Sequence, residues 1–245
     1  MAMKRKRIVI SLGGSVLIPT LEDNRINAFP SRIWGLKGQH QVWVVVGGGT
    51  EARRYIGVAR ELGIDESTAD ELGIMVTRIN ATLLMGALED NVYPRIALTY
   101  DDAVEFAESG KIVVMGGVTP GQTTDAVAAL LAERVKADLI INWTSVDGIY
   151  SADPKKDPGA VKHSRLTPGE LQAIIREDRL EAGSNTVFDT LAAKILARSG
   201  IPLVVLDGRP WLNDPGGPPE DPETAIRNRK GTLVSDKKDW EDIAL

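Results

Sequence analysis

Residues 41–50, QVWVVVGGGT, decide the architecture. Gln41–Val46 is an unbroken apolar, β-branched run after its first residue, the composition of a strand buried on both faces. It breaks into Gly47-Gly48-Gly49, and Thr50 is then placed to cap a helix through Leu62. In that helix Ala52, Tyr55, Ile56 and Ala59 share one face, and Gly63 stops it. The same passage from buried strand to glycine turn recurs at Arg7–Leu12 with Gly13-Gly14-Ser15, and at Lys111–Met115 with Gly116-Gly117. Leu139–Asn142 and Leu203–Leu206 read as further buried strands. Leu72, Met75, Val76, Ile79 and Leu83 repeat at helical spacing. Thr167-Pro168-Gly169-Glu170 is a capping box with proline at the first helical position. A helix from about Asp189 ends at Ser199-Gly200 and feeds directly into another strand. Alternation of this kind specifies an α/β chain: a three-layer αβα sandwich around a mostly parallel sheet.

Composition narrows the chemistry. The 245 residues carry a formal net charge of -5 and are 43% hydrophobic, which fits one globular domain over residues 1–245 and argues against a nucleic-acid surface. There is no cysteine, which removes thiol nucleophiles, thiolate metal sites and disulfides, and fits a cytoplasmic location. The two histidines, His40 and His163, make imidazole acid–base chemistry an unpromising main device. Lys4-Arg5-Lys6-Arg7 before Ile8–Ile18 has the outline of a signal peptide, but Ser11, Gly13, Gly14 and Ser15 interrupt the apolar run and no cleavage site follows. No stretch reads as the roughly 20 apolar residues of a membrane helix. Two segments break the strand–helix rhythm: Asp147–Pro168, rich in Asp, Pro and Lys, and Gly208–Pro222, expected as an exposed loop because of its prolines. The rhythm resumes after each, so neither is an interdomain linker.

Three glycine turns in register, each after an apolar strand, gather at the carboxyl ends of an open sheet, where ligands bind. Glycine lets the backbone approach a ligand closely, and amides at a helix start suit phosphate oxygens. Tight strand–helix turns also use glycine for purely steric reasons. Neither a P-loop lysine motif nor a dinucleotide GxGxxG fingerprint is present.

The order Gly13-Gly14-Ser15, Val44–Gly49, Thr123-Thr124-Asp125 and Val146–Pro154 resembles the amino-acid kinase superfamily, and within it the archaeal-type kinases of UMP. The likeness runs from Ile8 to about Val234. It implies phosphoryl transfer from ATP to UMP, with magnesium carried in by ATP, an acceptor part at about 1–120 and an ATP part at about 121–245. On the acceptor side it implies Gly48, Gly49, Arg53, Asp70, Thr123 and Thr124. Arg53, four positions after Gly49, can join the turn amides in clamping a doubly charged phosphate. Arg54 points elsewhere by about 100° of helical rotation. Asp70 can accept both ribose hydroxyls, or simply complement a helix dipole. The hydroxyls of Thr123 and Thr124 can read the uracil edge, and one of them can also cap the helix from Asp125.

On the donor side the resemblance implies Gly13, Gly14, Ser15, Thr144, Tyr150 and Asp153, with Tyr150 near the adenine and Asp153 addressing the ribose. Asp153-Pro154-Lys155 is equally a plain turn. Lys194 would neutralise charge on the transferring phosphoryl group. Asp125 and Asp189, early in their helices, would organise Lys194 beside the magnesium, or serve only as dipole-complementing acids. One departure stands out: many superfamily members carry lysine two positions before the first Gly-Gly pair, and this chain has Ser11. The resemblance also implies a homohexamer of dimers and inhibition by UTP. Two alternatives remain on the residues alone: a superfamily kinase for acetylglutamate, carbamate or an isoprenoid phosphate, and a non-catalytic nucleotide- or anion-binding protein on the same fold.

Overall fold

The computed structural model describes residues 5–152, 154, 157–180, 188–209, 222–236 and 238–243. Among these residues nine strands form: β1 (Arg7–Leu12), β2 (Gln41–Val46), β3 (Val113–Met115), β4 (Leu139–Thr144), β5 (Ile149–Tyr150), β6 (Lys162–His163), β7 (Arg165–Leu166), β8 (Leu203–Asp207) and β9 (Thr232–Val234). The helices are α1 (Gly14–Leu17), α2 (Pro30–Gln39), α3 (Gly49–Glu61), α4 (Glu66–Leu88), α5 (Tyr100–Ala107), α6 (Thr124–Val135), α7 (Pro168–Leu180), α8 (Thr190–Ser199) and α9 (Pro222–Arg227).

Seven strands make one sheet in the order β3-β2-β1-β4-β8-β9-β7. All neighbours are parallel except β8 and β9. The chain starts in the middle, winds outward through β2 and β3, and then returns to the opposite side of β1 with β4. The carboxyl ends of β1 and β4 therefore flank the point where the winding reverses, the place in such sheets where ligands bind. β5 and β6 form a separate antiparallel hairpin.

Alternation along the strands divides the core in two. Ile8, Ile10, Leu12, Leu139, Ile141 and Trp143 face α2, α4 and α9. Val9, Trp43, Val45 and Ile140 face α5, α6 and α8. This is the three-layer sandwich that the strand–helix alternation predicts. Arg7–Leu12 and Gln41–Val46 coincide with the expected strands, whereas β3 is shorter at its start than expected and β4 longer at its end.

The capping box before α7 forms: Thr167 N donates to Glu170 Oε2 at 2.7 Å and Glu170 N to Thr167 Oγ1 at 3.1 Å. Asp189 caps α8, and Gly200 closes it with φ 65°. Of the Gly208–Pro222 loop, residues 210–221 lie outside the described residues.

Two helical readings are corrected. Thr50 does not cap α3; Gly48 is the cap residue, without a side-chain bond, because the turn enters the helix two residues earlier. On the expected apolar face Ala52 and Ala59 are buried, but Tyr55 is 57% exposed. In α4 only Val76 of the apolar series is buried, while Met75, Ile79 and Leu83 face outward. The inward side is instead Ala69, Gly73, Thr77, Asn80, Ala81, Leu84 and Leu88. The reason is a tertiary contact: the glycine turn after β2 leaves backbone carbonyls that need donors. Asn80 Nδ2 supplies them, to Gly47 O at 2.9 Å and to Gly48 O at 3.3 Å. α4 is also long and apolar enough to cross a membrane, contrary to the sequence reading. Its Leu84 and Leu88 in the core, and its Asn80 on the glycine turn, make it a core helix.

Candidate active site

The first two glycine turns are fused back to back. A Cβ on Gly14 would lie 2.3 Å from Gly49 N and 2.4 Å from Gly47 O, so only glycine allows the contact. Gly49 takes φ 66°, in the left-handed region. The Gly13 amide, expected at the ligand, donates instead to Trp143 O at 2.9 Å, and that of Gly47 donates to Leu12 O at 2.9 Å. These bonds tie the turns to the sheet. α1 and α3 begin just beyond, so the amides of Gly14, Ser15, Gly49 and Thr50 have no acceptor within their helices. They make an electropositive lip suited to anions.

Below the lip opens a cleft of about 360 Å³. Of the expected acceptor residues it is lined by Gly48, Gly49, Arg53, Asp70, Thr123 and Thr124; of the expected donor residues, by Gly13, Gly14, Ser15 and Thr144. Arg53 projects from α3 one turn past Gly49, and among the described residues its side chain is held only by Nη2 to Thr50 Oγ1 at 3.3 Å. Ile56 and Ile74 add an apolar wall. Asp70 Oδ2 accepts from Gly121 N at 2.7 Å, so the carboxylate is tied to the loop before α6. Thr77 Oγ1 receives Gly117 N at 2.7 Å and passes its own proton to Ile74 O at 2.6 Å, fixing the third glycine turn to α4. Gln122 lines the same wall and accepts from the Tyr100 hydroxyl at 3.3 Å.

Thr123 caps α6 by accepting from Ala126 N and donates its hydroxyl to Asp189 Oδ2. Asp189 in turn caps α8 through Leu191 N at 2.6 Å. One hydroxyl thus joins the starts of two helices at the cleft. Asp125, two residues on, touches the cleft with part of its surface while its carboxyl is enclosed. Burial pushes it up to about 6; the Ser11 hydroxyl opposes that rise and the nearby Asp189 charge adds to it.

Among the described residues three expected ones stand apart from this lining: Lys194, Tyr150 and Asp189, the last of which reaches it only through Thr123. Lys194 is exposed on α8, one turn beyond Asp189, and makes no hydrogen bond or ion pair among the described residues. The Tyr150 hydroxyl donates to Asp147 Oδ1 at 3.0 Å, while Lys162 Nζ binds Asp147 Oδ2 at 3.0 Å, so Tyr150 belongs to the β5–β6 hairpin. Asp153 lies outside the described residues. Sequence reasoning missed Thr77, Asn80, Gln122 and Asn142. The available signal for Asn142 was a polar residue inside an apolar strand; Thr77 and Asn80 interrupt an apolar helix in the same way.

The raised carboxyl has a consequence for stability. Between the ordinary value of 3.8 and about 6 the folded chain binds a proton at Asp125 that the unfolded chain has released. Stability therefore falls as pH rises through that window, and the penalty persists above it. Asp125→Asn is expected to stabilise the fold by about 2–3 kcal/mol at pH 7 and to have no such effect below about pH 4. Urea unfolding at the two pH values checks this; equal stability of both chains at pH 7 contradicts it.

Residues 6–207 match the Amino acid kinase family. The chain is 65% identical to the uridylate kinase of Methanoculleus marisnigri over 204 residues, which cover 83% of this chain and 87% of that protein. It is 60% identical to the uridylate kinase of Methanoregula boonei over 203 residues, again 83% and 87% of the two chains. The crystal structure of uridylate kinase from Archaeoglobus fulgidus matches with a TM-score of 0.78 at 44% identity, over 93% of this chain and 99% of that one. On its fold, its glycine turns and these similarities, the chain belongs to the amino acid kinase family, in the branch that holds these archaeal relatives.

Proposed function

We propose that this protein is a UMP kinase, which moves the γ-phosphoryl group of ATP to UMP and yields UDP and ADP. The observation that carries the reading is one cleft lined both by Gly48, Gly49 and Arg53 and by Gly14, Ser15 and Thr144, at the two fused turns. Two anions can be held there side by side. The similarity to archaeal uridylate kinases supplies the acceptor.

The α3 amides and Arg53 hold the UMP phosphate. Asp70, released from the Gly121 amide, accepts the ribose hydroxyls, and Thr123 and Thr124 meet the base. ATP lies on the Gly13–Ser15 side with Thr144, Tyr150 and Asp153, which divides the domain into an acceptor part at about 1–120 and an ATP part at about 121–245. The second pKa of a phosphate monoester is about 6, so at neutral pH the attacking oxygen is already ionised and needs no general base. Holding two anions in line is the remaining demand, and orientation supplies roughly 7–11 kcal/mol of such barriers. Transfer is direct, without a phosphoenzyme. Side chains on a helix lean toward its N-terminus, so Lys194 can swing from α8 toward the cleft and neutralise the transferring group, steered by Asp125 and Asp189. Magnesium enters as part of the MgATP substrate, bound chiefly by phosphate oxygens and water. The setting is the cytoplasm.

The assembly is a homohexamer of dimers. Met75, Ile79 and Leu83 on α4 and Tyr55, Val58 and Leu62 on α3 are all at least 45% exposed, on two helices packed against each other. A second copy would cover them. Sedimentation velocity should show a hexamer, and Val58→Asp with Ile79→Asp should shift it to smaller species; a monomeric wild-type chain contradicts this assembly.

Formation of UDP and ADP from UMP and MgATP tests the reaction itself. Arg53→Ala is expected to raise the KM for UMP roughly 10- to 100-fold, the scale of a lost charge-assisted hydrogen bond, while KM for ATP changes little. Faster turnover of acetylglutamate, carbamate or an isoprenoid phosphate moves the chain to another acceptor, and absence of ADP with every acceptor makes it a binding protein.

A further inference from the structure

At the reversal point of the sheet, β1 and β4 pair in parallel with Ser11 directly opposite Asn142. Both are nearly sealed, at 4% and 2% exposure, in strands whose other buried residues are apolar. Alternation turns both side chains to the face that carries α6. There Ser11 Oγ donates to Asp125 Oδ1 at 2.8 Å, and Asn142 Nδ2 donates to the same oxygen at 3.2 Å. Two buried donors from adjacent strands thus converge on one carboxylate oxygen. The other oxygen, Oδ2, has no bond among the described residues, and Asp125 lines the cleft.

We infer that Ser11 and Asn142 form a neutral two-donor cradle that fixes Asp125 and presents its Oδ2 to the reacting phosphates' side of the cleft, where it steers the Lys194 ammonium. They are positioning residues, and the inference rests on the kinase reading above. The physical case is a comparison of forces on one buried carboxyl. Desolvation and the neighbouring Asp189, on the α8 side, both favour the protonated form. Hydrogen bonds donated to a carboxylate favour the ionised form. From β1 and β4 the facing groups are the uncharged Ser11 and Asn142, and from the start of α8 it is Asp189. Among the described residues no cation acts on the carboxyl. The two neutral donors therefore supply what resists protonation. A serine can therefore stand where a cation would otherwise be needed, because its bond is short and buried and the asparagine reinforces it.

The test is the pH dependence of turnover. Ser11→Ala removes a donor without adding volume. The wild-type profile of kcat should show an acid limb, and in Ser11→Ala that limb should move up by about one pH unit. At pH 6 kcat should then fall about fivefold, while at pH 9 it returns to within about twofold of wild type. KM for UMP and ATP should stay within about twofold throughout. A loss equal at every pH, or an unmoved limb, overturns the inference. Circular dichroism and UMP-binding calorimetry check the fold. Should Ser11→Ala fail that check, Ser11→Thr takes its place; it keeps the hydroxyl and must show the wild-type acid limb, and a displaced limb counts against the cradle. Failure of the kinase reading is distinct, since the wild-type chain would then make no UDP at any pH.

Discussion

The contact on which the site depends is the one between Gly14 and Gly47–Gly49. Two strand-to-helix turns meet there with no side chain between them, and a single added Cβ would overlap backbone atoms at 2.3 Å. Because β1 and β2 are parallel neighbours in register to their last residues, Leu12 against Val46, their turns must emerge together. Close approach of two bare backbones then brings the starts of α1 and α3 to one lip. Everything placed below that lip follows: Arg53 from one turn into α3, Asn80 and Thr77 from α4 tying down the turns, and the start of α6 closing the far side.

Charge is handled within this frame mainly by uncharged groups. Helix-start amides face the cleft, and the enclosed Asp125 is met by a hydroxyl and a side-chain amide rather than by a cation. Arg53 is the cation in the lining, and Lys194 waits one turn into α8. Such a site has few fixed positive charges to neutralise when it is empty. The Asp70–Gly121 and Thr123–Asp189 bonds have the same character, since each occupies a polar group of the cleft wall with a neighbour that a nucleotide can replace or exploit.

The sequence made the layer order legible because buried parallel strands are written as apolar runs and their ends as glycine. Arg7–Leu12 and Gln41–Val46 were readable to the residue. The caps at Thr167, Asp189 and Gly200 were readable because side-chain and left-handed caps have local signatures. α4 was misread, since its two faces are both substantially apolar and only tertiary packing decides which one turns in. Its inward Thr77 and Asn80 are explained by backbone groups of distant turns, which no local pattern records. In the same way Ser11 was visible as a departure, but its partner Asn142 was not, because their pairing exists only once β1 and β4 are neighbours. Arg53, Asp70, Thr123 and Thr124 were found in one cleft as the resemblance implied, whereas Lys194 and Tyr150 lie beyond its lining.

The central claim is that one cleft holds acceptor and donor phosphates together, within reach of both cations. A crystal structure with UMP and a non-hydrolysable ATP analogue tests it most directly. The account predicts the UMP phosphate on the Gly48 and Gly49 amides and Arg53, with its attacking oxygen about 3–3.5 Å from the γ-phosphorus and in line with the bond to be broken. It also predicts Lys194 Nζ drawn in to the γ-phosphate oxygens. Nucleotides bound in separate places, or a Lys194 that stays on the outer face of α8 with both ligands present, would contradict it.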